Sequence, residues 1–392
     1  MNGLARFILA SSAASLCAAP AAIAQGTGPA APTTNSGAAV RQAASTGRTR
    51  ILINDGWRYR ADGQNLLERP LAVDSAWERV SVPHTWNVTD PFDDSPSYRR
   101  GIGWYRRNLS LDESFRGKRL YLFFEGVNQV ARVYVNGAFA GEHKGGYTAF
   151  TIDITKHARV GTPAADNLIA VEVNNAHDPF IPPLSVGFAL YGGIYRDVWL
   201  VATDAIHFDM MDHGSAGVFV TTPTVDRERG TLSVRASVAN DGLVARDIRV
   251  VSTLLDARGA TVSTATESVR VGGGETAVAK ENFPPISRPR LWSPDEPYLY
   301  TLRTELYERD SLRDVVTSPV GFRWFSFDPQ RGFILNGQKL QLKGTNRHQD
   351  AQGLGSALGN ELHLRDLQLI KEMGANFLRL AHYPQDPAVL EA

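Results

Sequence analysis

The chain has 392 residues, with lysine plus arginine equal to aspartate plus glutamate at 41 each, so its formal charge is zero. Nothing basic is concentrated enough along the sequence to suggest a nucleic-acid or anionic-membrane partner. A 43% hydrophobic content excludes wholesale disorder, and 35 glycines and 21 prolines fit a turn-rich β protein long enough for two or three domains.

The first residues read as a targeting segment. Arg6 gives a weakly positive start, residues 7–19 are apolar or small, and Ala22-Ile23-Ala24 matches a small-x-small cleavage pattern. Residues 1–24 are therefore expected to be an export signal, with Gln25 as the mature N-terminus and a periplasmic or extracellular destination. A short anchor helix is the alternative, but the run falls below the ~20 residues a bilayer span needs. The only cysteine, Cys17, lies inside this segment behind Leu16, where a lipoprotein signal wants a small residue. No disulfide is then expected in the mature protein, and no other stretch is apolar enough to span a membrane. Residues 25–47 are alanine, threonine, glycine, proline and serine with almost no large apolar side chain, which predicts a flexible tether.

Residues 48–203 read as a jelly-roll sandwich of about eight short strands. Residues 118–127 are apolar on both faces, as a central strand should be. Asn136-Gly137 between two short strand patterns is a tight hairpin signal, because both turn positions need positive φ. Along residues 167–175, Ile169, Val171 and Val173 alternate with Ala170 and Glu172. Residues 204–325 read as a second, immunoglobulin-like sandwich of about seven strands, an assignment that rests on strand count and turn spacing alone. The pattern changes in residues 326–392. Asn336-Gly337 marks another hairpin, with a strand expected at 339–343. A helix is expected at 360–373, with Asn360 at the N-cap, Gly374 just past its end and Leu364, Leu367, Leu369, Ile370 and Met373 on one apolar face. With a strand at 376–381 this forms one parallel βαβ unit.

No Cys-x-x-Cys, His-Glu-x-x-His, Gly-x-Ser-x-Gly or phosphate-cradling glycine loop occurs, and histidine spacing suggests no closed metal site. The candidate constellation is His348, Asp350, Arg379, His382 and Tyr383. The βαβ topology should bring both strand ends to one rim, where imidazole and guanidinium donors suit the hydroxyls of a sugar. From residue chemistry alone the plainer reading is that Arg379 and His382 are rim residues paired with Asp350 or Asp386.

Several motifs shift that balance. Gly344-Thr345-Asn346-Arg347-His348, Lys371 to Asn376, and Arg379-Leu380-Ala381-His382-Tyr383-Pro384 occur in order after Trp292 to Tyr300 and Gly321-Phe322-Arg323. Upstream lie Gly103-Trp104-Tyr105-Arg106, Phe124 to Val127, Val135-Asn136-Gly137, Gly145-Gly146-Tyr147 and Gly193-Ile194-Tyr195-Arg196-Asp197. Together they resemble glycoside hydrolase family 2, the β-galactosidase and β-glucuronidase family. The resemblance implies a jelly-roll sandwich, an immunoglobulin-like sandwich and a (β/α)8 TIM barrel begun within residues 326–392. It implies a retaining β-glycosidase acting on a carbohydrate substrate, with β-galactosidase the first expectation and β-glucuronidase the alternative. His348, Arg379 and His382 would bind the sugar, and Tyr147, Tyr191 and Tyr195 would pack where sandwich and barrel meet. Gly187 stands where many relatives carry an aspartate that reaches the sugar.

The two catalytic glutamates are expected on later barrel strands, so no catalytic residue is assigned in this chain. Glu361, Glu372 and Glu391 are poor substitutes by position. No cofactor is identifiable from the residues; a divalent cation such as magnesium enters only through the resemblance, and homo-oligomerisation is left open. A reading of another class is a non-catalytic carbohydrate-binding sandwich protein.

Overall fold

The computed structural model describes residues 47–61, 67–94, 98–182 and 191–392. The expected signal, nearly all of the tether and Gly187 lie outside the described residues. Among those described, the fold is mainly β: two sandwiches in succession, then a short α/β segment.

The first sandwich packs a four-stranded sheet on a six-stranded one, all pairs antiparallel. The smaller sheet runs Thr49–Leu52, Val198–Thr203, Arg119–Phe124, Phe150–Asp153. The larger runs Glu78–Val80, Trp57–Arg60, Ile102–Leu111, Ala165–Asn174, Val130–Val135, Ala138–Lys144. Strand Arg119–Phe124 explains the two-faced apolar pattern. Leu120, Leu122 and Phe124 enter the inter-sheet core with Ile169, Val171 and Val173. Tyr121 points the other way and packs with Val201 and Met210, so the second sandwich covers that face. Its hydroxyl lies 3.0 Å from His207 Nε2. The hairpin turn has φ of +54° at Asn136 and +84° at Gly137, the pair of left-handed conformations the sequence calls for.

The second sandwich pairs Ser233–Asn240 with Ile206–Phe208, Val218–Thr221 and Glu275–Asn282, against a sheet ordered Thr261–Val271, Arg246–Leu255, Tyr300–Glu308, Ser311–Val320. Its core is cut in two. Val250, Leu306 and Ala279 belong to one apolar cluster, and Leu254, Leu302 and Phe283 to another. Two residues along each of those three strands stand Ser252, Thr304 and Glu281, all buried, with Ser252 bonded to both of the others. This polar layer separates the two apolar halves.

The last segment opens with a meander of Phe325–Asp328, Gly332–Leu335 and Gln338–Lys339, turning through Asn336 and Gly337 at φ of +52° and +78°. Strands Gly344–Arg347 and Phe377–Leu380 then pair in parallel, with Gly344 opposite Phe377 and Arg347 opposite Leu380, and helix Asn360–Glu372 lies between them in the chain. Three expectations need correction. The barrel strand begins at Gly344, not Lys339: Leu340 N still donates to Phe333 O of the meander at 3.0 Å, and Lys343 O accepts from Asn376 N at 2.9 Å just ahead of the paired residues. Asn376 Oδ1 accepts from Lys343 N at 2.8 Å and its Nδ2 donates to Gln341 O at 3.0 Å. The N-cap is Gly359, with no side-chain cap, and Asn360 is already helical. Finally, Leu364, Leu369 and Met373 are exposed, whereas His363 is the helix's buried residue, drawn in by polar partners described below.

Candidate active-site rim

The parallel pair carries His348 one residue beyond its first strand and His382 two residues beyond its second, so both imidazoles reach the C-terminal rim. Their ring centroids are 5.3 Å apart at 74°. Tyr383 sits beside them, its hydroxyl 3.5 Å from His348 Nδ1 and accepting from Gln349 N at 3.0 Å. Tyr147 of the sandwich stacks on the Tyr383 ring, centroids 4.5 Å apart and nearly coplanar. Asp350 Oδ2 accepts the Tyr191 hydroxyl at 2.8 Å, and burial followed by that carboxylate raises the Tyr191 pKa far above the usual phenol value. Tyr195 donates to Gly146 O within the sandwich. Thus Tyr147 and Tyr191 meet the barrel as the resemblance implies, and each does so through a candidate rim residue.

Arg379 lies on strand Phe377–Leu380 opposite Asn346, with its side chain exposed. Desolvation, then the charges of Arg379 and His348, lower the His382 pKa, so this ring favours its neutral form. Neutral imidazole offers one donor and one acceptor, a match for a vicinal diol. Asp350 is bonded to Tyr191, and Asp386 accepts the backbone N–H of Ala388 at 2.9 Å as a helix cap.

Beneath the rim is a buried polar layer that sequence reasoning missed. Arg347, inside the Gly344–His348 motif, donates to Asp366 Oδ2 at 2.9 and 2.7 Å and to His363 Nδ1 at 2.9 Å. Burial is the main cause that lowers the His363 pKa, opposed by Asp386 and reinforced by Arg347. His363 is therefore neutral with its proton on Nε2, which faces Asp386 Oδ2 at 3.8 Å. A histidine in step with Leu367 and Ile370 along a helical stripe was the available signal. Among the described residues no group of three His, Cys, Asp or Glu side chains is placed to hold a metal ion, so the divalent cation implied by resemblance has no ligand set among them.

Three models of one family match in chain order: the glycosyl hydrolases family 2 sugar binding domain over residues 47–204, the family 2 domain over 216–323, and its TIM barrel domain over 329–392. A β-glucuronidase of Bacteroides fragilis is 37% identical over 343 residues, covering 86% of this chain and 47% of the relative. The β-galactosidase BoGH2A of Bacteroides ovatus is 33% identical over 351 residues, covering 88% and 40%. Among solved structures, Bacteroides uniformis β-glucuronidase 2, covalently bound to cyclophellitol-6-carboxylate aziridine, superposes with a TM-score of 0.84 at 40% identity, covering 88% of this chain and 41% of that one. The chain thus spans less than half the length of these relatives. Two sandwiches followed by the opening βαβ of a TIM barrel, matched in order by these three models, place the chain in glycosyl hydrolase family 2.

Proposed function

We propose that the protein carrying this chain is a retaining β-glycosidase that removes terminal β-linked sugars, and that residues 344–386 supply part of its sugar-binding rim. The observation that carries this reading is the convergence of His348, Asp350, His382 and Tyr383 at the ends of two parallel strands, where TIM barrels place their active sites. The acid/base and nucleophile would be a carboxyl pair ~5–5.5 Å apart, supplied from outside these residues. Of the two glycones considered, β-glucuronides are favoured: identity is 40% and 37% to proteins named as glucuronidases against 33% to one named as a galactosidase. Galactoside cleavage is the second reading, on that weaker likeness.

The test uses full-length protein with nitrophenyl β-glucuronide and β-galactoside. His382→Ala and Arg379→Ala should each lower kcat/KM by on the order of 10²-fold, because rim donors act where charge develops, and should barely move Tm. Near-normal turnover in both would return them to ordinary surface roles, and sugar binding without hydrolysis by the parent protein would favour the accessory-module reading. Export is part of the proposal. Its support is the residue pattern of 1–24, and secreted material whose intact mass retains Cys17 would refute it.

A further inference from the structure

Arg196 belongs to the first sandwich but does its bonding in two directions. Its side chain is 2% exposed. Nη1 donates to the main-chain oxygens of Glu125 and Tyr147 at 3.3 and 3.1 Å, within the sandwich. Nη2 donates to Gln349 Oε1 at 3.2 Å and Pro384 O at 2.7 Å, within the barrel segment. Gln349 stands between His348 and Asp350, and Pro384 is two residues past His382. One planar group therefore ties both rim loops to each other and to the sandwich.

The tie is closed by further bonds. Gln349 Oε1 also accepts from Asp386 N at 2.9 Å, and Gln349 N donates to Tyr383 Oη at 3.0 Å. The Asp386 carboxylate lies 3.9 Å from Arg196 Nε, which offsets part of the cost of burying the guanidinium. Room for the arginine stem comes from Gly126: a Cβ there would lie 2.9 Å from Arg196 Cδ and 3.1 Å from Tyr195 Cζ. Gly126 does not need left-handed backbone, since it is absent from the positive-φ glycines, so its lack of a side chain serves this packing.

We propose that Arg196 is a positioning residue for the sugar-binding rim, holding the His348–Asp350 and His382–Pro384 loops in register across the sandwich–barrel contact. This rests on the reading of the rim as the sugar site. A lysine cannot take the role, because a point charge with three donors does not span two opposed pairs of acceptors as a planar fork does. A misplacement near 1 Å at such a site costs about 10²-fold in rate.

The experiment uses full-length protein with Arg196→Lys, Arg196→Gln and the milder Gly126→Ala, alongside His382→Ala. Active sites are counted by burst titration with a 2-deoxy-2-fluoro glycoside of the better substrate, so that turnover is expressed per competent site. The expected result is a fall in kcat/KM per titrated site of roughly 10- to 100-fold for both arginine variants, with no rescue by lysine, and a smaller fall for Gly126→Ala. A lower count of competent sites with unchanged kcat/KM per site would make Arg196 a folding residue only and overturn the proposal. Loss in His382→Ala with none in the Arg196 or Gly126 variants would also overturn it while leaving the rim reading intact. Full turnover in His382→Ala would bring down the rim reading itself.

Discussion

Replacing Glu281 by glutamine should stabilise the second sandwich at neutral pH and alter its pH dependence by a calculable amount. The carboxyl is 2% exposed in the layer that divides the core, accepting from Ser252 Oγ at 2.5 Å and Ser252 N at 3.2 Å. Burial raises its pKa from 4.5 to about 6, against the opposing pull of the Ser252 bonds and with some help from Glu267. Below pH 4.5 the group is protonated in folded and unfolded chains alike. Between 4.5 and 6 the unfolded chain releases the proton while the folded one keeps it, so stability falls as pH rises. Above 6 the full penalty is present, about 2 kcal/mol at ~1.4 kcal/mol per factor of ten. Glutamine fits the layer: its oxygen accepts Ser252 N–H, and its NH2 donates to Ser252 Oγ, which then donates to Thr304 Oγ1 at 3.0 Å. The stability difference between Glu281→Gln and wild type should therefore grow by about 2 kcal/mol from pH 4 to 7.5, or about 8 °C in Tm for a unit of this size. Denaturant titrations and thermal scans across that range measure it. A difference that does not change with pH, or that shrinks as pH rises, would refute the reasoning.

Two further outcomes are expected. Gly193→Ala should destabilise the first sandwich by about 3 kcal/mol or more, because φ is +136° and the new Cβ would meet His84 O at 2.3 Å; a loss under about 1 kcal/mol in urea unfolding would contradict that. The polypeptide of residues 1–392 by itself should hydrolyse neither nitrophenyl glycoside, since two parallel strands and one intervening helix offer no carboxyl pair across a glycosidic bond, and activity abolished by a mutation within it would place the chemistry elsewhere.

Local chemistry made much of this fold legible. Strand alternation at Ile169, Val171 and Val173, the paired left-handed turns at Asn136-Gly137 and Asn336-Gly337, and the glycine at 374 with φ of +87° each follow from interactions a few residues long. The rim was legible in part for the same reason: His348 and His382 stand just past apolar or short strand segments, and parallel pairing does the rest. The start of the barrel strand was not, because Leu340 still bonds to the meander while Lys343 bonds through its N–H and its carbonyl to Asn376, thirty-three residues away. Nor were the polar layer of Ser252, Thr304 and Glu281, the choice of His363 over Leu364 as the buried helix residue, or the reach of Arg196 to Gln349, 153 positions along the chain. Alternation and turn propensity state which side chains want to leave water. Only the folded packing decides which buried polar groups find each other, because the free energy of a buried hydrogen bond resides in the pair and not in either residue.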